Sequence, residues 1–249
     1  MRTVSVKSAD RILDVLELLA GLQGGIGVSE LARRLGIPKS SASGLVSTLQ
    51  GRGYVVPVPE GIALADAYRG PGWVGGETAH LLRYARPAMQ RLSRQTGESC
   101  FLGMATRSFD VQYVEKAVSE SALRYDADLA LTRPAYCTSI GWVLLAGLTP
   151  AQLDRYFDGR DLNQLTPKTI TDEAVIRGAI DETRRRGYAT ISDSHVLGTS
   201  GVSAPVTRQG RIVAGLALIA PSERFSLQAD LNVQATVVAA HELSQALDR

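Results

Sequence analysis

The chain has 249 residues, enough for a small domain joined to one of medium size, and 45% of them are hydrophobic, which suffices for packed cores. A formal net charge of +2 excludes a polycation, and no apolar run approaches the roughly 20 residues that a membrane-spanning helix needs. The first residues lack the apolar segment of a signal peptide, and two cysteines, Cys100 and Cys137, do not make a disulfide framework. We therefore expect no membrane partner and a location in a reducing cytoplasm.

Three short helices are predicted near the N-terminus. The first spans about residues 8 to 20 and carries an apolar stripe of Ala9, Ile12, Leu13, Leu16 and Leu19. The second begins near residue 28, where Ser29 is placed to cap the first turn, and Gly36 can take the positive φ that ends it. Pro38 suits the first position of the third helix, whose inward-facing positions are Ala42, Leu45, Val46 and Leu49.

The outward face of the third helix is polar, and an extended hairpin follows it. Gly51 and Gly53 break the helix, a strand begins at Tyr54, and Ile62 and Leu64 return it after a turn. This layout is typical of a winged helix-turn-helix, whose third helix enters the major groove of DNA with its N-terminal end. The competing interpretation is an ordinary helical hairpin within a core.

Candidate contacts with a double-stranded DNA operator lie on this helix. We expect Lys39 and Arg52 to contact phosphates. The side chains expected to reach base edges, or to share their face, are Ser40, Ser41, Ser43 and Ser47. Residues 1 to 53 contain seven Lys or Arg and four Asp or Glu, a modest local excess of three cations. Because one such module should bind weakly, we expect a homodimer or a dimer of dimers that places two modules on one palindrome.

The remainder of the chain predicts a second domain. Residues 66 to 76 are rich in glycine, as a linker would be, and a helix is predicted from about Glu77 to Gln95. Strands are expected over residues 99–105, 111–118, 123–127, 188–192, 202–206 and 212–220. Helices are expected over residues 138–147, 150–157, 172–186 and 226–247. Strands with helices outside them indicate an α+β sheet domain.

Several motifs carry a resemblance to a known family over nearly the whole chain. They are Gly36-Ile-Pro-Lys-Ser-Ser-Ala42, Thr48-Leu-Gln-Gly-Arg-Gly-Tyr54, Pro134-Ala-Tyr-Cys-Thr-Ser-Ile-Gly141, Arg186-Gly-Tyr-Ala189 and Ser203-Ala-Pro-Val206. With them the sequence resembles the IclR-type transcriptional regulators of bacteria. The resemblance implies a winged helix-turn-helix DNA-binding domain over residues 1–66 and a linker with a linker helix over 67–96. It further implies a GAF-like domain over 97–249, whose antiparallel sheet walls an effector pocket and which mediates oligomerisation. The implied function is a ligand-responsive regulator, in our interpretation the repressor of a catabolic operon.

The predicted pocket includes the loop that enters the helix near Thr138. Hydroxyl groups there, together with amides of the helix N-terminus, suit a carboxylate or another oxygen-rich group. With the facing segments that the resemblance implies, the candidate effector-binding residues are Cys137, Thr138, Ser139, Ile140, Gly141, Trp142, Asp193, Ser200, Gly201, Ala217 and Ile219. Positions that are often polar in the family are here Trp142, Gly201, Ala217 and Ile219. We therefore expect an apolar pocket for a small aryl or alkyl effector with one polar end, unless Trp142 packs against a neighbouring subunit.

Catalysis and metal binding are the rival interpretations of the reactive residues. Cys137, His195 and Asp193 could form a nucleophilic triad, but a lone Cys in a sheet domain is usually core filler. His80, His195 and His241 lack the spacing of zinc ligands, and the sequence has neither a Walker loop nor a dinucleotide fingerprint. We predict no enzymatic activity, no cofactor and no catalytic or metal site.

Two departures from the family pattern leave a different class of function open. Gly44 and Ala63 stand where the family often has arginine, so both remove cations from the expected DNA face. Serine discriminates bases poorly compared with arginine or asparagine. The alternative is a protein-interaction adaptor that reuses a winged helix without binding DNA.

Overall fold

The computed structural model describes residues 7–22, 24–68 and 77–248, and the chain divides into two compact units, Met1–Arg83 and Tyr84–Arg249. Residues 69–76 of the predicted linker lie outside the described residues. The domain boundaries predicted at residues 66 and 96 stay a prediction. Among the helices of the described ranges, none has both the length and the apolar character of a membrane span.

The first unit consists of three helices and a hairpin. Its elements are α1 (Lys7–Ala20), α2 (Val28–Arg34), α3 (Lys39–Gly51), β1 (Val55–Val58) and β2 (Gly61–Leu64). The two strands pair antiparallel, and a 3-10 turn follows at Asp66–Tyr68. The core consists of apolar side chains that the helical and strand periods turn inward: Val15, Leu16, Leu19, Leu31, Ala42, Val46, Leu49, Val55 and Ile62. This arrangement confirms the predicted winged helix-turn-helix.

The starts of α2 and α3 differ from their prediction. Ser29 lies inside α2 and does not cap it, because the N-cap position belongs to Gly27. Pro38 occupies the N-cap of α3, so Lys39 is the first helical residue. Neither helix start has a side-chain hydrogen bond as a cap. The first amide groups of α3 are therefore open to an external acceptor.

Two further local predictions have opposite outcomes. Gly36 has a φ of +61°, which confirms that a glycine is needed where α2 ends. Leu13 is 44% exposed and Ala9 is also exposed, so the apolar stripe predicted for α1 is wrong at these two positions. The buried face of α1 is centred on Val15, Leu16 and Leu19, and Leu13 lies beside that face.

The second unit contains one six-stranded sheet. Helix α4 (Glu77–Thr96) crosses the boundary between the units. The elements that follow it are β3 (Ser99–Ala105), β4 (Val111–Ala117), β5 (Thr132–Arg133), α5 (Ser139–Ala146), α6 (Pro150–Phe157), α7 (Glu173–Arg186), β6 (Ala189–Ser192), β7 (Thr199–Arg208), β8 (Arg211–Pro221), α8 (Ser222–Leu227) and α9 (Ala229–Leu247). The strand order is β5-β4-β3-β8-β7-β6, and every neighbouring pair is antiparallel. The predicted antiparallel sheet domain is confirmed.

Helix α5 is the element that positions the candidate site of this unit. It packs on β7 and β8, and α7 packs against it. Ile140 of α5 lies over two strand glycines, because a Cβ atom built at Gly103 or Gly215 would come within 3.0 Å of its Cγ2. The missing side chains let the helix approach the sheet closely. Helix α9 also packs on β7 and β8.

The segment 123–127 is not a strand, and that prediction is wrong. The edge strand next to β4 is the short β5, over Thr132–Arg133. The preceding segment is held by side chains: Lys116 Nζ lies 2.7 Å from Asp126 Oδ1, and Arg124 Nη1 donates to the carbonyl of Ser121 over 3.1 Å. The predicted last helix is likewise two helices, α8 and α9, which are separated by Gln228 with φ −131° and ψ 27°.

Candidate functional site

The outward face of α3 is the first candidate site. Its side chains opposite the core are exposed and mostly small: Lys39, Ser40, Ser43 and Ser47. Arg52, at the C-cap, is also exposed. Ser41 is half-buried and lines a groove with the first turns of α1. Lys39, Ser40, Ser43 and Ser47 are thus exposed on α3, Ser41 lies at the edge of that surface, and Arg52 lies at the opposite end of the helix from Lys39.

The cations of the first unit fall into two groups. Arg33 and Arg34 on α2 are both bonded to Glu30, at 2.6 Å and 2.9 Å. The hydrogen bonds from Arg33 and then Arg34 lower the pKa of Glu30 to about 2, so Glu30 stays ionised and offsets part of the charge of the two arginines. Lys39 and Arg52, in contrast, have no ion-pair partner among the described residues. Their charge is available to an external anion.

The wing contributes no positive charge. Residues 55–64 contain no Lys or Arg, and Glu60 is exposed at the hairpin tip. Ala63 is only 1% exposed, so this position is not part of an exposed DNA face. The expectation that Ala63 removes a cation from such a face is therefore wrong.

The second candidate site is a small cavity in the second unit, of about 30 Å³. Part of its lining was predicted: Cys137, Thr138, Ser139, Ser200, Gly201 and Ile219. Ser194, His195 and Thr199 also line it and lie in the segment 193–200 that was expected to face the pocket, although they were not named as effector-binding residues. The residues that the sequence analysis did not predict here are Tyr113, Tyr125 and Ile191. The alternation of Val111 and Tyr113 with the polar Gln112 could have shown that Tyr113 points inward, and both Val111 and Tyr113 are buried. Tyr125 lies in the segment that was predicted as a strand.

Three predicted residues of α5 do not line the cavity. Ile140 packs on the sheet glycines. Gly141 is needed for packing, because a Cβ atom there would lie 2.1 Å from the carbonyl oxygen of Ala135. Trp142 is 8% exposed, and its Nε1 donates to the carbonyl of Tyr136 over 2.7 Å. Its ring belongs to the core of its own chain.

Asp193 and Ala217 also lie outside the lining. Ala217 is fully buried in the core. The Asp193 carboxylate accepts hydrogen bonds from the Gly198 amide at 2.8 Å, the Ser222 hydroxyl at 2.8 Å and Lys168 Nζ at 2.9 Å. Lys168 first, then Ser222, lowers the pKa of this carboxyl group. Asp193 thus holds the loop that carries Ser194 and His195 against the cavity.

The hydroxyl groups near the cavity differ in whether they have hydrogen-bond partners. Thr138 Oγ1 accepts from the Gly141 amide at 3.1 Å and caps α5. Ser139 Oγ lies 2.7 Å from Ser203 Oγ. Ser194 Oγ is buried and has no hydrogen-bond partner among the described residues. Because a buried polar group without a partner costs free energy, Ser194 marks where a ligand atom would gain a hydrogen bond.

The cavity is electrically close to neutral. Burial raises the pKa of the Cys137 thiol to about 12, so it stays protonated, and its Sγ lies 3.7 Å from the carbonyl oxygen of Pro134. Burial, and then the nearby charge of Arg133, lowers the pKa of His195. The Arg133 guanidinium itself lies 4.0 Å from the ring centre of Tyr113 and donates to two backbone carbonyls. No hydrogen bond joins Cys137 to His195 within the described ranges, and there no group of three His, Cys, Asp or Glu is placed to hold a metal.

A winged helix-turn-helix joined to a sheet domain with an internal cavity defines a class of bacterial regulators that read DNA. The family model of the IclR helix-turn-helix domain matches residues 8–59, and that of the bacterial transcriptional regulator IclR C-terminal domain matches residues 77–249. The chain belongs to the IclR family of bacterial transcriptional regulators.

Individual proteins are similar over most of the chain. The HTH-type transcriptional regulator KdgR of Escherichia coli (strain K12) is 30% identical over 225 residues, which cover 89% of this chain and 85% of KdgR. The solved structure of RHA06195 from Rhodococcus sp. RHA1 is 26% identical, has a TM-score of 0.65, and is matched over 98% of this chain and 100% of that one. An IclR homolog from Microbacterium hydrocarbonoxydans, solved in complex with 4-hydroxybenzoate, is 22% identical with a TM-score of 0.63, over 97% and 99% of the two chains.

Proposed function

We propose that this regulator represses a catabolic operon and is released from its operator by a small organic effector bound in the cavity of the second unit. The observation that carries the proposal is the outward face of α3, with a helix start that no side chain caps, exposed small hydroxyls, and cations that have no ion-pair partner among the described residues. A polar surface of this kind does not stabilise a packed core, whereas it can bind a DNA groove lined by phosphates.

The roles on α3 follow from side-chain length and charge. Lys39 and Arg52 contact phosphates, which position the helix. Ser40 and Ser43 reach base edges, Ser47 extends the same face, and Ser41 contacts the DNA from its edge. Few contacts per module mean that a homodimer or a dimer of dimers supplies the affinity, on a palindromic operator.

The effector is a small, largely apolar molecule with a polar end, an aromatic one in the first instance. Tyr113, Tyr125 and Ile219 supply apolar walls, and no Lys or Arg is among the described residues that line the cavity. The partnerless hydroxyl of Ser194 supplies the polar contact. The Microbacterium homolog holds an aromatic acid, which makes 4-hydroxybenzoate a first compound to test.

The volume of the cavity limits what fits into it without a change in its walls. About 30 Å³ holds about two water molecules and is too small for a benzene ring, which needs roughly 150 Å³. We therefore expect an aromatic effector to widen the cavity or to extend through its open side. We assign operator binding to the effector-free protein and release to the effector-bound form, which is the sense of control of a repressor.

A mobility-shift titration tests the proposal. The probe is a duplex from the region upstream of the protein's own gene, and a scrambled duplex is the control. We expect the protein to bind the upstream duplex with an affinity that falls steeply as the salt concentration rises. We expect an aromatic compound, with 4-hydroxybenzoate tested first, to release the duplex, and we expect pyruvate and glyoxylate not to release it. Absence of any shift at low salt would favour the adaptor function, and release by pyruvate alone would refute the apolar effector.

A further inference from the structure

An open groove of about 750 Å³ lies between the first turns of α1 and the flank of α3. Lys7, Ser8 and Arg11 line it on the α1 side. The α3 side is formed by Ser41, Gly44, Leu45 and Thr48. The groove is therefore continuous with the outward face of α3 that the proposed function places on DNA.

The charge of this groove is positive. Lys7 is exposed, Arg11 is half-buried, and neither has an ion-pair partner among the described residues. No carboxylate is among its described lining residues. The two acidic residues of the same helix segment, Asp10 and Asp14, lie outside the lining. The groove thus offers two cations to an anion that approaches from α3.

The rest of the lining favours a chain of phosphates. The hydroxyls of Ser8 and Ser41 have no hydrogen-bond partner among the described residues, so both can donate to a phosphate oxygen. Thr48 instead donates to the Gly44 carbonyl over 2.9 Å. A Cβ atom built at Gly44 would meet nothing within 4 Å, so the floor of the groove is open backbone that another molecule can approach closely.

We propose that Lys7 and Arg11, with Ser8 and Ser41, form a second phosphate site that holds the DNA strand along the flank of α3. The site rests on the proposed operator binding and extends it from the third helix to the first. It supplies phosphate contacts that the wing cannot make, because residues 55–64 contain no Lys or Arg. A helix in the major groove has a phosphate backbone on each side, and α1 is placed to meet one of them.

The test compares Lys7→Gln, Arg11→Gln and Arg11→Lys with the unaltered protein, by fluorescence anisotropy on the upstream duplex and on the scrambled one. Each lost phosphate contact should reduce the slope of log K against log salt by about 0.9 per bound module, and weaken binding to both duplexes roughly eightfold per bound module at about 0.1 M salt. Arg11→Lys should keep the slope, because the charge remains. Arg185→Gln is the matched control, since Arg185 is paired with Glu182 on α7 and should leave the slope unchanged.

A rescue variant separates lost charge from lost folding. Gly44→Arg has room for its side chain and returns a cation to the same groove, so the Arg11→Gln/Gly44→Arg pair should regain most of the lost slope. Unchanged slopes in Lys7→Gln and Arg11→Gln, with normal binding by the parent protein, would overturn the phosphate site alone. A changed oligomeric state in these variants, seen by sedimentation, would make the groove a contact between copies and also overturn it. A parent protein that binds neither duplex at low salt would refute operator binding itself, and the site with it.

Discussion

At the scale of single residues, small side chains decide where backbone elements meet. Gly141 lets the start of α5 lie against the carbonyl of Ala135, where a Cβ atom would be only 2.1 Å from that oxygen. Gly103 and Gly215 let Ile140 of the same helix approach the sheet. These residues hold the N-terminus of α5, and with it Thr138 and Ser139, beside the cavity.

Gly141→Ala should therefore destabilise the second unit by about 3 kcal/mol, because the backbone must move to relieve the clash. Gly178→Ala is the control: this glycine lies in α7, and a Cβ atom there meets nothing within 4 Å, so the substitution should stabilise by up to about 1 kcal/mol. Urea unfolding followed by the fluorescence of buried Trp142 measures both. Equal stability of the two variants would show that close packing at Gly141 does not matter.

At the scale of elements, the loop between β6 and β7 forms one wall of the cavity. It carries Ser194 and His195, and the Asp193 carboxylate holds it through three hydrogen bonds. Asp193 itself has a φ of +57°, a conformation that aspartate and asparagine tolerate better than most residues. The wall is therefore organised by one ionised group that does not line the cavity.

The pKa of Asp193 lies below its ordinary value, so its contribution to stability is present above the ordinary value and is lost as pH falls through the lowered one. Asp193→Asn keeps the backbone conformation but removes the charge, and should loosen the loop by about 1 kcal/mol at neutral pH. Hydrogen exchange of the Gly198 amide should then be faster than in the parent protein. In the parent, protection of this amide should fall as the pH drops through the lowered pKa of Asp193, and in Asp193→Asn this pH dependence should be absent. Asp161→Asn, at an exposed carboxylate, is the control. Slow exchange at Gly198 in Asp193→Asn would contradict this role.

At the scale of the whole molecule, the two candidate sites lie in two different compact units. The first presents the α3 face, and the second contains the cavity. An effector in one unit alters DNA binding by the other only through a difference in its affinity for two states of the protein. That difference is a coupling free energy, and it acts equally in both directions.

We predict that an effector that weakens operator binding about tenfold will itself bind about tenfold more weakly to the protein–operator complex. Calorimetric titration of the effector into protein alone, and into protein saturated with the upstream duplex, measures the two affinities. The scrambled duplex at the same concentration is the control and should leave effector affinity unchanged. Equal effector affinity with and without operator would exclude release through the cavity.

The sequence by itself determined most of the elements and their order, and its resemblance to a family implied the roles of the two domains. Period-3.6 stripes, the glycine after α2 and the motif set predicted the winged helix-turn-helix and most strands, because these signals depend on neighbours a few residues apart. Half of the cavity lining was predicted. Cys137, Thr138 and Ser139 followed from the helix start, and Ser200, Gly201 and Ile219 from the family resemblance.

Only the tertiary structure decided which side chains meet. Tyr113, Tyr125 and Ser194 are far apart in the chain and come together because β4, β3, β8 and β7 pair in that order. Trp142 lies in the core, where its indole nitrogen donates to the Tyr136 carbonyl. The Asp193 carboxylate accepts a hydrogen bond from the Gly198 amide of its own loop and does not line the cavity. Lys7 and Arg11 joined the face of α3 through the packing of α1. Contacts of this kind depend on sheet order and on how closely helices approach, which no local pattern records.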